Sequence, residues 1–450
     1  MSRIRNAFEK VKNSTFFVSV FKVGSGQLIA QIFSLISVPI LSRIYSDVAY
    51  GDTALITSTA AILTNISTIG LTSAIMKPRE DEEAKKVFTT AFLTNFLICT
   101  GFTAVYAFLI GKKQLFAISG SYGFALLLMW LYCILTVTTS LMLVYLNRKQ
   151  KYNKLFFNPI IGAASNFVVA IPLGMMGFGF EGFMITYIIE YMMICIHMMW
   201  KDVPFSSQYR PRDFIRVLVE YKEYILFQFP SNSVSNFANE YPTQYFGRAY
   251  TSQELGGYSM CERILKIPVR LIASPISTVY FRTASEFHRE GKNLAEFTYQ
   301  MVSRILLISV LPVAIFMFIS EPLFVFVLGE KWREAGTLAA FLIIQYVLMF
   351  CSQTTTYCRV SIGRQRTNLI VSVLQLAFSA CFCFAGYAMF HTMRGTVIAY
   401  SVGQCMFSIV DLAISFYCMN KQYLKKFLAV SAGYTVLMYA FLVVKCILFP

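Results

Sequence analysis

FPSNSVSNFANEYPTQYFGR, residues 229–248, places a row of amides and a carboxylate between two strongly apolar segments. The stretch is either a loop in water or a membrane-spanning helix with one polar face. At 100° per residue, Asn232, Asn236, Asn239 and Thr243 share one face of such a helix, the polar stripe, with Glu240 at its edge. Phe237, Ala238 and Tyr241 lie on the other side. Polar side chains avoid lipid, so a spanning helix would turn them toward a neighbouring helix or toward a water-filled cavity.

The composition of the whole chain indicates a helical membrane protein with many spans. Hydrophobic residues make up 56% of the 450 residues and charged residues only 14%, whereas soluble proteins average about 25% charged. The apolar residues occur in runs of about 20, enough to cross roughly 30 Å of hydrocarbon as a helix and too long for barrel strands. We predict an all-α fold with about thirteen spans, at 16–43, 52–75, 88–110, 119–146, 155–176, 180–200, 223–248, 256–281, 300–320, 336–358, 368–390, 395–419 and 427–448.

The Lys and Arg residues of the loops test this count. With the N-terminus in the cytoplasm, the inner segments hold 27 of these residues and the outer loops five. If 223–248 were a loop, every later segment would change sides and the bias would largely disappear. We therefore predict that 223–248 spans the membrane. The same bias accounts for the net charge of +16 without a nucleic-acid partner.

A weak internal repeat divides the chain into two halves. RIYSDVAYG at 43–51 and RAYTSQELG at 248–256 share Arg, Tyr and Gly at equal spacing, and KQKYN at 149–153 is followed 215 residues later by RQRTN at 364–368. Six spans precede the basic segment 201–222, so both halves would have the same orientation, as in transporters that bind substrate between two lobes. We predict an N-lobe (1–200), a cytoplasmic basic linker (201–222), a C-lobe (223–420) and an additional C-terminal helix (421–450).

The segment GGYSMCERILKIPVRLIASPIS, residues 256–277, is the predicted span richest in charge. Glu262, Arg263, Lys266 and Arg270 lie within a 100° arc of one helix face. Glu262 can pair with Lys266 at the i, i+4 spacing, which leaves about two unmatched cations. Ionisable groups at membrane depth indicate function by default, so this face is predicted to bind substrate.

Other spans contribute further polar residues. The first span carries Lys22, Gln27, Gln31 and Arg43, although Lys22 and Arg43 lie toward helix ends and could instead extend to the membrane surface. A cavity lined by these cations would bind an anion through its carboxylate or phosphate oxygens. The amides would supply neutral hydrogen bonds of the kind that sugars accept.

Four carboxylates are candidates for gating or ion coupling. Glu262 and Glu240 lie in the two spans described above. Glu190 and Asp411 are isolated, and each could hold a coupling ion or pair with a cation of a neighbouring helix. The eleven Cys include no CxxC pair and the three His are far apart, so no metal site, catalytic residue or cofactor is predicted. Protons, sodium ions or the substrate gradient alone remain open as the driving force.

Long stretches of the chain resemble polysaccharide flippases of the Wzx type, in the multidrug/oligosaccharidyl-lipid/polysaccharide (MOP) exporter superfamily. These stretches are GSGQLIAQIFSLISVPILSRIYSDVAYG (24–51), LGGYSMCERILKIPVRLIASPISTVYFRTASE (255–286), GEKWREAGTLAAFLI (329–343) and the RQRTN motif. The resemblance implies two six-helix lobes in a V shape, and lobe interfaces lined by cations at Lys22, Arg43, Arg263, Lys266 and Arg270. Family members usually have twelve or fourteen helices, whereas thirteen are predicted here.

The implied activity is the movement of undecaprenyl-pyrophosphate-linked oligosaccharide from the inner to the outer leaflet of the bacterial cytoplasmic membrane, for O-antigen, capsule or exopolysaccharide. The implied partners are that glycan, the bilayer and the polysaccharide polymerase machinery. A drug or metabolite antiporter of the same superfamily is the nearest alternative. Its cavity would be lined mainly by carboxylates that bind organic cations, whereas Lys and Arg are in excess here. A polysaccharide polymerase or ligase would be an enzyme with a large outer loop, and no predicted outer loop exceeds about 20 residues, too short for a domain. The sequence has no Walker A lysine motif.

Overall fold

The computed structural model describes the backbone of residues 15–110, 122–290, 292–356, 358–359, 362, 364 and 367–448. It describes their side chains too, apart from those of residues 15–22, 109–110, 122, 227–228, 270, 273–275, 278–279, 281–282, 285 and 288. The described part is helical and contains no strand. The helices are α1 (Thr15–Ile44), α2 (Asp47–Ser67), α3 (Leu71–Ala74), α4 (Asp81–Ile110), α5 (Tyr122–Arg148), α6 (Tyr152–Met175), α7 (Phe180–Met199), α8 (Pro211–Glu220), α9 (Phe229–Ala249), α10 (Ser252–Arg289), α11 (Leu294–Leu328), α12 (Arg333–Thr355), α13 (Thr367–Phe390), α14 (Met393–Met419) and α15 (Lys421–Leu448).

Every predicted span overlaps one of these helices. Among the described residues, ten helical segments are long and apolar enough to cross a membrane, within α1, α4 to α7 and α11 to α15. The three other predicted spans correspond to α2, α9 and α10, in which hydroxyl, amide and charged side chains dilute the apolar residues. The all-α multi-pass fold is confirmed, and the count of thirteen spans stays a prediction.

The first of two compact units comprises Met1–Ser46 and Ile56–Ser233. Helix α1 packs along α6, α6 along α7, and α7 against α5. Its core includes Phe88 of α4, Leu141 of α5 and Met198 of α7, all almost fully enclosed. The predicted linker segment lies within this unit and contains the short helix α8, which packs against α4.

Charged side chains fasten the loops of the first unit. Asp213 accepts a hydrogen bond from the backbone N–H of Arg210 at 2.9 Å and so caps the start of α8. Asp202, after α7, lies 2.8 Å from Lys154 and 3.2 Å from Lys151 at the start of α6. Burial alone would raise the pKa of Asp202, but the two ammonium groups outweigh it, and the pKa is lowered.

The second unit comprises Asp47–Leu55 and Val234–Pro450. Helix α12 is its most enclosed long helix, packed against α10, α11 and α14. The additional C-terminal helix α15 is part of this core, since the Phe427 ring stacks on Phe416 at 4.9 Å and the Tyr434 hydroxyl lies 3.1 Å from that of Ser309. The identification of the two units with transport lobes stays a prediction.

The two repeat motifs occupy equivalent places in their units. The hydroxyl of Tyr45 donates to the carbonyl of Ala170 at 2.8 Å, on the α6–α7 pair of the first unit. The hydroxyl of Tyr250, 205 positions later, donates to the carbonyl of Thr392 at 3.1 Å, on the α13–α14 pair of the second unit. Each tyrosine therefore anchors the end of its helix to the last helix pair of its half, through α6 in the first unit and through the residue before α14 in the second.

The glycines of the repeat make a reciprocal contact inside the second unit, which includes the start of α2. A Cβ atom on Gly51 would overlap the carbonyl oxygen of Ser252, and one on Gly256 would overlap the carbonyl oxygen of Asp47. The starts of α2 and α10 therefore cross each other at these two glycines. Only a residue without a side chain lets the two backbones come this close. The two glycines of the repeat therefore serve the same purpose, the close approach of two helix starts.

Candidate substrate site

The charged face of α10 lies against α12. Lys266 Nζ is 2.9 Å from Glu262 Oε2, so the predicted i, i+4 pair forms. The hydroxyl of Tyr346 donates to the other oxygen of Glu262, also at 2.9 Å. The exposed fractions of the Lys266 and Glu262 side chains are 32% and 16%. Glu262 therefore holds the ammonium group of Lys266 on a partly exposed face. An anion that reached this face could bind the ammonium group in place of Glu262.

The other cations predicted to line the site are two on α10 and two on α1, and the side chains of two of the four are described. Arg263 is half-buried, one residue after Glu262. The side chain of Arg270, one turn beyond Lys266, lies outside the described residues, as does that of Lys22 in α1. Arg43, at the end of α1, is exposed. The cationic lining formed by these residues therefore remains a prediction.

The asparagines of the polar stripe of α9 have different surroundings. Asn232 and Asn239 are exposed and Asn236 is half-buried, whereas Ala238 on the opposite side is 1% exposed. The amide of Gln375 on α13 donates to Asn239 Oδ1 at 2.8 Å. Part of the stripe therefore contacts another helix, the alternative that the sequence left open, and part faces away from the protein.

Two residues of α9 depart from the expected division. Phe237, assigned to the packed side, is 39% exposed and meets the Tyr241 ring edge-on at 6.1 Å. Thr243, assigned to the polar face, is 7% exposed. The side of α9 that packs into its unit includes Pro242 and Phe246, so the enclosed face is rotated toward Thr243.

The amides of α1 and the carboxylate of α9 have intermediate surroundings. Gln27 is exposed and Gln31, one turn later, is half-buried. Glu240 of α9 is half-buried as well. These three residues keep their assignments as cavity lining and gating candidates, which the structure does not test.

Glu190 and Asp411, the isolated carboxylates, have different partners. Glu190 Oε2 accepts a hydrogen bond from the Asn166 amide at 2.7 Å, between α7 and α6. Asp411 forms an ion pair with Arg359, and the two side chains are 5% and 2% exposed. For Asp411 the structure favours the pairing alternative over a coupling ion.

The Arg359–Asp411 pair is surrounded by further polar groups. Arg359 also donates to Asn368 Oδ1 at 2.9 Å and to the Ser415 hydroxyl at 3.0 Å, while Ser352 donates to the other carboxylate oxygen of Asp411. The sequence does not identify Arg359 as the partner of Asp411. The available signal is that an aspartate in an apolar helix requires a cation and that the segment 359–366 is rich in cations. No group of three potential metal-ligating side chains occurs among the residues described.

Comparison with known proteins identifies the family. Residues 40–337, well over half of the chain, match the profile of the family described as polysaccharide biosynthesis protein. This chain belongs to that family. The resemblance seen in the sequence is therefore confirmed.

A curated relative agrees with the family assignment. The succinoglycan biosynthesis transport protein ExoT of Rhizobium meliloti (strain 1021) is 24% identical to this chain over 339 residues. The aligned region covers 72% of this chain and 65% of ExoT, so the chain spans a little under two thirds of the length of this relative.

Solved structures share the fold at low identity. A lipid II flippase, MurJ, in an inward closed conformation superposes with a TM-score of 0.71 at 12% identity, covering 94% of this chain and 92% of MurJ. An inward-facing multidrug resistance transporter of the MATE family, in the MOP superfamily, gives 0.66 at 16% identity, with 88% and 96% covered. A MOP superfamily transporter from Pyrococcus furiosus Vc1 (DSM3638) gives 0.57 at 16% identity, with 93% and 96% covered. These matches confirm the MOP fold for this member of the polysaccharide biosynthesis family.

Proposed function

We propose that this protein is a flippase that carries undecaprenyl-pyrophosphate-linked oligosaccharide from the inner to the outer leaflet of the bacterial cytoplasmic membrane by alternating access. The observation that carries the proposal is the charged face of α10, which lies in a segment that the loop charges predict to span the membrane, in a MOP-fold member of the polysaccharide biosynthesis family. The name of ExoT, a succinoglycan biosynthesis transport protein, supports a glycan cargo destined for the cell surface.

The Glu262–Lys266 pair supplies a mechanism for binding and releasing an anion. In the structure Glu262 neutralises Lys266 and is itself held by Tyr346. A pyrophosphate arriving on this face would attract the ammonium group, while Glu262 keeps the hydrogen bond from Tyr346. Arg263 and Arg270 would share the remaining charge, Arg270 through a bidentate contact that lysine cannot make.

The amides of α9 and α1 would bind the sugar part of the substrate. Asn232, Asn236 and Gln27 each combine a hydrogen-bond donor and acceptor with at least partial exposure, as sugar hydroxyls require. Glu190 and Glu240 are the proposed sites of gating or ion coupling, with protons or sodium ions as the coupling ion and no other cofactor. The polysaccharide polymerase machinery would receive the product.

An antiporter of drugs or metabolites with the same fold is the competing function. It would need an anionic site for organic cations, whereas four of the five charged residues singled out at α10 and at the end of α1 are cations. A polymerase or ligase activity would require reactive groups that the candidate site does not bring together. The charge of the site therefore favours the lipid-linked anion.

The test is export of surface glycan in a strain whose own gene is deleted and replaced by variants. Lys266→Ala and Arg270→Ala should abolish surface glycan and cause lipid-linked oligosaccharide to accumulate, with wild-type amounts of protein in the membrane. Arg270→Lys should restore export only in part. The matched control is Lys292→Ala, which removes a surface lysine paired with Glu290 at 2.6 Å and should leave export unchanged.

Normal export by well-inserted Lys266→Ala and Arg270→Ala proteins would refute the proposed site. Normal surface glycan in the deletion strain, together with increased sensitivity to cationic drugs, would instead establish the antiporter function.

A further inference from the structure

A groove of about 280 Å³ opens between α10 and the first third of α11. Among the described side chains, its lining is apolar at Ile276, Phe297, Met301, Ile305 and Ile308, and polar at Gln300 and Arg304. This volume is near the lower limit of ligand pockets, roughly 300 Å³, and accommodates a phosphate group together with the first part of one acyl chain. The mixture of one cation with apolar walls fits an amphiphile that carries a negative charge.

The position of Arg304 on α11 places this groove at a membrane boundary. Outward-facing apolar side chains begin one turn later, with Ile308 at 73% exposed, and continue through Leu311 at 68% and Ile315 at 51% to Phe326 at 82%. The rise from Ile308 to Phe326 is about 27 Å, close to the thickness of the hydrocarbon layer. With the hydrocarbon placed over Ile308 to Phe326, a shift of the predicted span toward its C-terminal end, Arg304 lies one turn outside it, at headgroup depth and on the lipid-facing side.

No described residue neutralises the charge of Arg304. It is exposed, and among the described residues none forms an ion pair with it. Glu296, two turns earlier on α11, is engaged instead by Asn293 at 3.3 Å and by Gln300 at 3.5 Å. A guanidinium at headgroup depth with no carboxylate beside it is complementary to the phosphate of an anionic headgroup, whose negative charge no ammonium group of the same lipid offsets.

We propose that this groove binds an anionic glycerophospholipid of the bilayer, with its phosphate on Arg304 and Gln300 and one acyl chain along Ile305 and Ile308. In the orientation that the loop charges predict, the bound lipid belongs to the cytoplasmic leaflet, whose anionic lipids attract basic side chains. The site is separate from the charged face of α10 and does not depend on the transported substrate.

The test measures lipid retention by the purified full-length protein. Native mass spectrometry after reconstitution in phosphatidylcholine nanodiscs with a minor fraction of phosphatidylglycerol should show one retained phosphatidylglycerol. Arg304→Gln should weaken this retention about five- to tenfold, and Arg304→Lys should retain an intermediate amount. The matched control is Arg289→Gln, an exposed arginine at the end of α10 that does not line the groove, and it should bind as the wild type does.

Equal retention by the wild type and Arg304→Gln, or an equal loss in Arg289→Gln, would overturn the proposal. Displacement of the lipid by excess inorganic phosphate would show a free phosphate site instead of a lipid site, and equal retention of phosphatidylcholine would show an apolar groove without charge recognition. A photoactivatable acyl-chain phosphatidylglycerol should label residues 297–308 in the wild-type protein, so a poorly folded variant does not prevent the test. Labelling confined to other helices would also refute the site.

Discussion

The ion pair of Arg359 and Asp411 shows what the sequence can and cannot predict at the scale of a residue. An aspartate inside an apolar helix is conspicuous, so Asp411 was a candidate from the sequence. Its partner could not be identified, because α12 and α14 are distant in the chain and several basic residues follow α12. Burial of both side chains to 5% exposure or less makes the pair structural: a charge left alone there would be costly.

We therefore predict strong destabilisation when either member is removed. Arg359→Gln and Asp411→Asn should each cost about 3–5 kcal/mol, because each leaves one buried charge without its partner. The double variant Arg359→Met/Asp411→Leu should be more stable than either single variant, since no charge remains. Thermal unfolding in detergent measures the differences.

The control for this experiment is Arg333→Gln. Arg333 pairs with Glu321 and Glu330 but is 53% exposed, so its loss should barely change the unfolding midpoint. A double variant as unstable as the worse single variant would show that packing, and not charge, determines the role of the pair.

Helix α9 shows what the sequence can and cannot predict at the scale of a structural element. Hydropathy alone does not select it, because its amides and serines keep it out of the ten strongly apolar helices. The loop charges predicted that it spans, and the structure confirms a helix over Phe229–Ala249. Which side is enclosed could be predicted only roughly, because the exposure of Phe237 and the burial of Thr243 depend on neighbouring helices absent from the local pattern.

Cysteine accessibility along α9 tests the polar stripe. In a cysteine-free background, Asn232→Cys and Asn236→Cys should react with a small hydrophilic thiol reagent in native membranes. Ala238→Cys, two residues on and 1% exposed in the wild type, is the matched control and should stay unreacted. Equal reaction at all three positions would mean that the segment is a water-exposed loop.

The crossing of α2 and α10 gives a second prediction at this scale. Gly51→Ala and Gly256→Ala should each lower the unfolding midpoint, with a cost of about 1–3 kcal/mol, because the added Cβ overlaps a backbone carbonyl that cannot turn away. Gly257→Ala is the control: a Cβ there meets nothing within 4 Å, so alanine in this helix should be neutral or stabilise by about 0.5–1 kcal/mol.

A double variant tests whether Gly51→Ala and Gly256→Ala destabilise the protein through the same contact. If they act through one reciprocal contact, the double variant Gly51→Ala/Gly256→Ala should cost less than the two single costs added together, since the first substitution already separates the helix starts. Additive costs would mean that each glycine responds to its own surroundings, without the symmetric crossing.

At the scale of the whole molecule, the sequence predicted a division into two parts of like orientation. The repeat motifs and the even number of predicted spans before the basic segment are the grounds for it. The chain does form two compact units, and their like orientation stays a prediction. The sequence did not predict that the start of α2 packs with the second unit, because only the folded chain brings Asp47–Leu55 beside α10. Nor did it predict that α15 completes the core of the second unit, since amphipathic pattern does not identify a helix's neighbour.

Membrane orientation is the prediction that tests this organisation. Single cysteines near the basic loops should be protected from an impermeant reagent in intact cells and labelled after permeabilisation; the positions are Lys77, Lys149, Arg212, Arg289, Arg364 and Lys425. The positive control is Glu330→Cys in the short turn before α12, which is 70% exposed and should be labelled from outside. The excess of Lys and Arg in the inner segments, 27 against five, is the reason for this expectation.

The positions after α9 are decisive because they depend on whether α9 crosses the membrane. If α9 did not cross, positions 289 and 364 would move outside while positions 77 and 149 stayed inside. External labelling at 289 or 364 would therefore reject both the orientation and α9 as a span. It would also contradict the predicted parallel repeat of the motifs at 43–51 and 248–256, which requires both halves to have the same orientation.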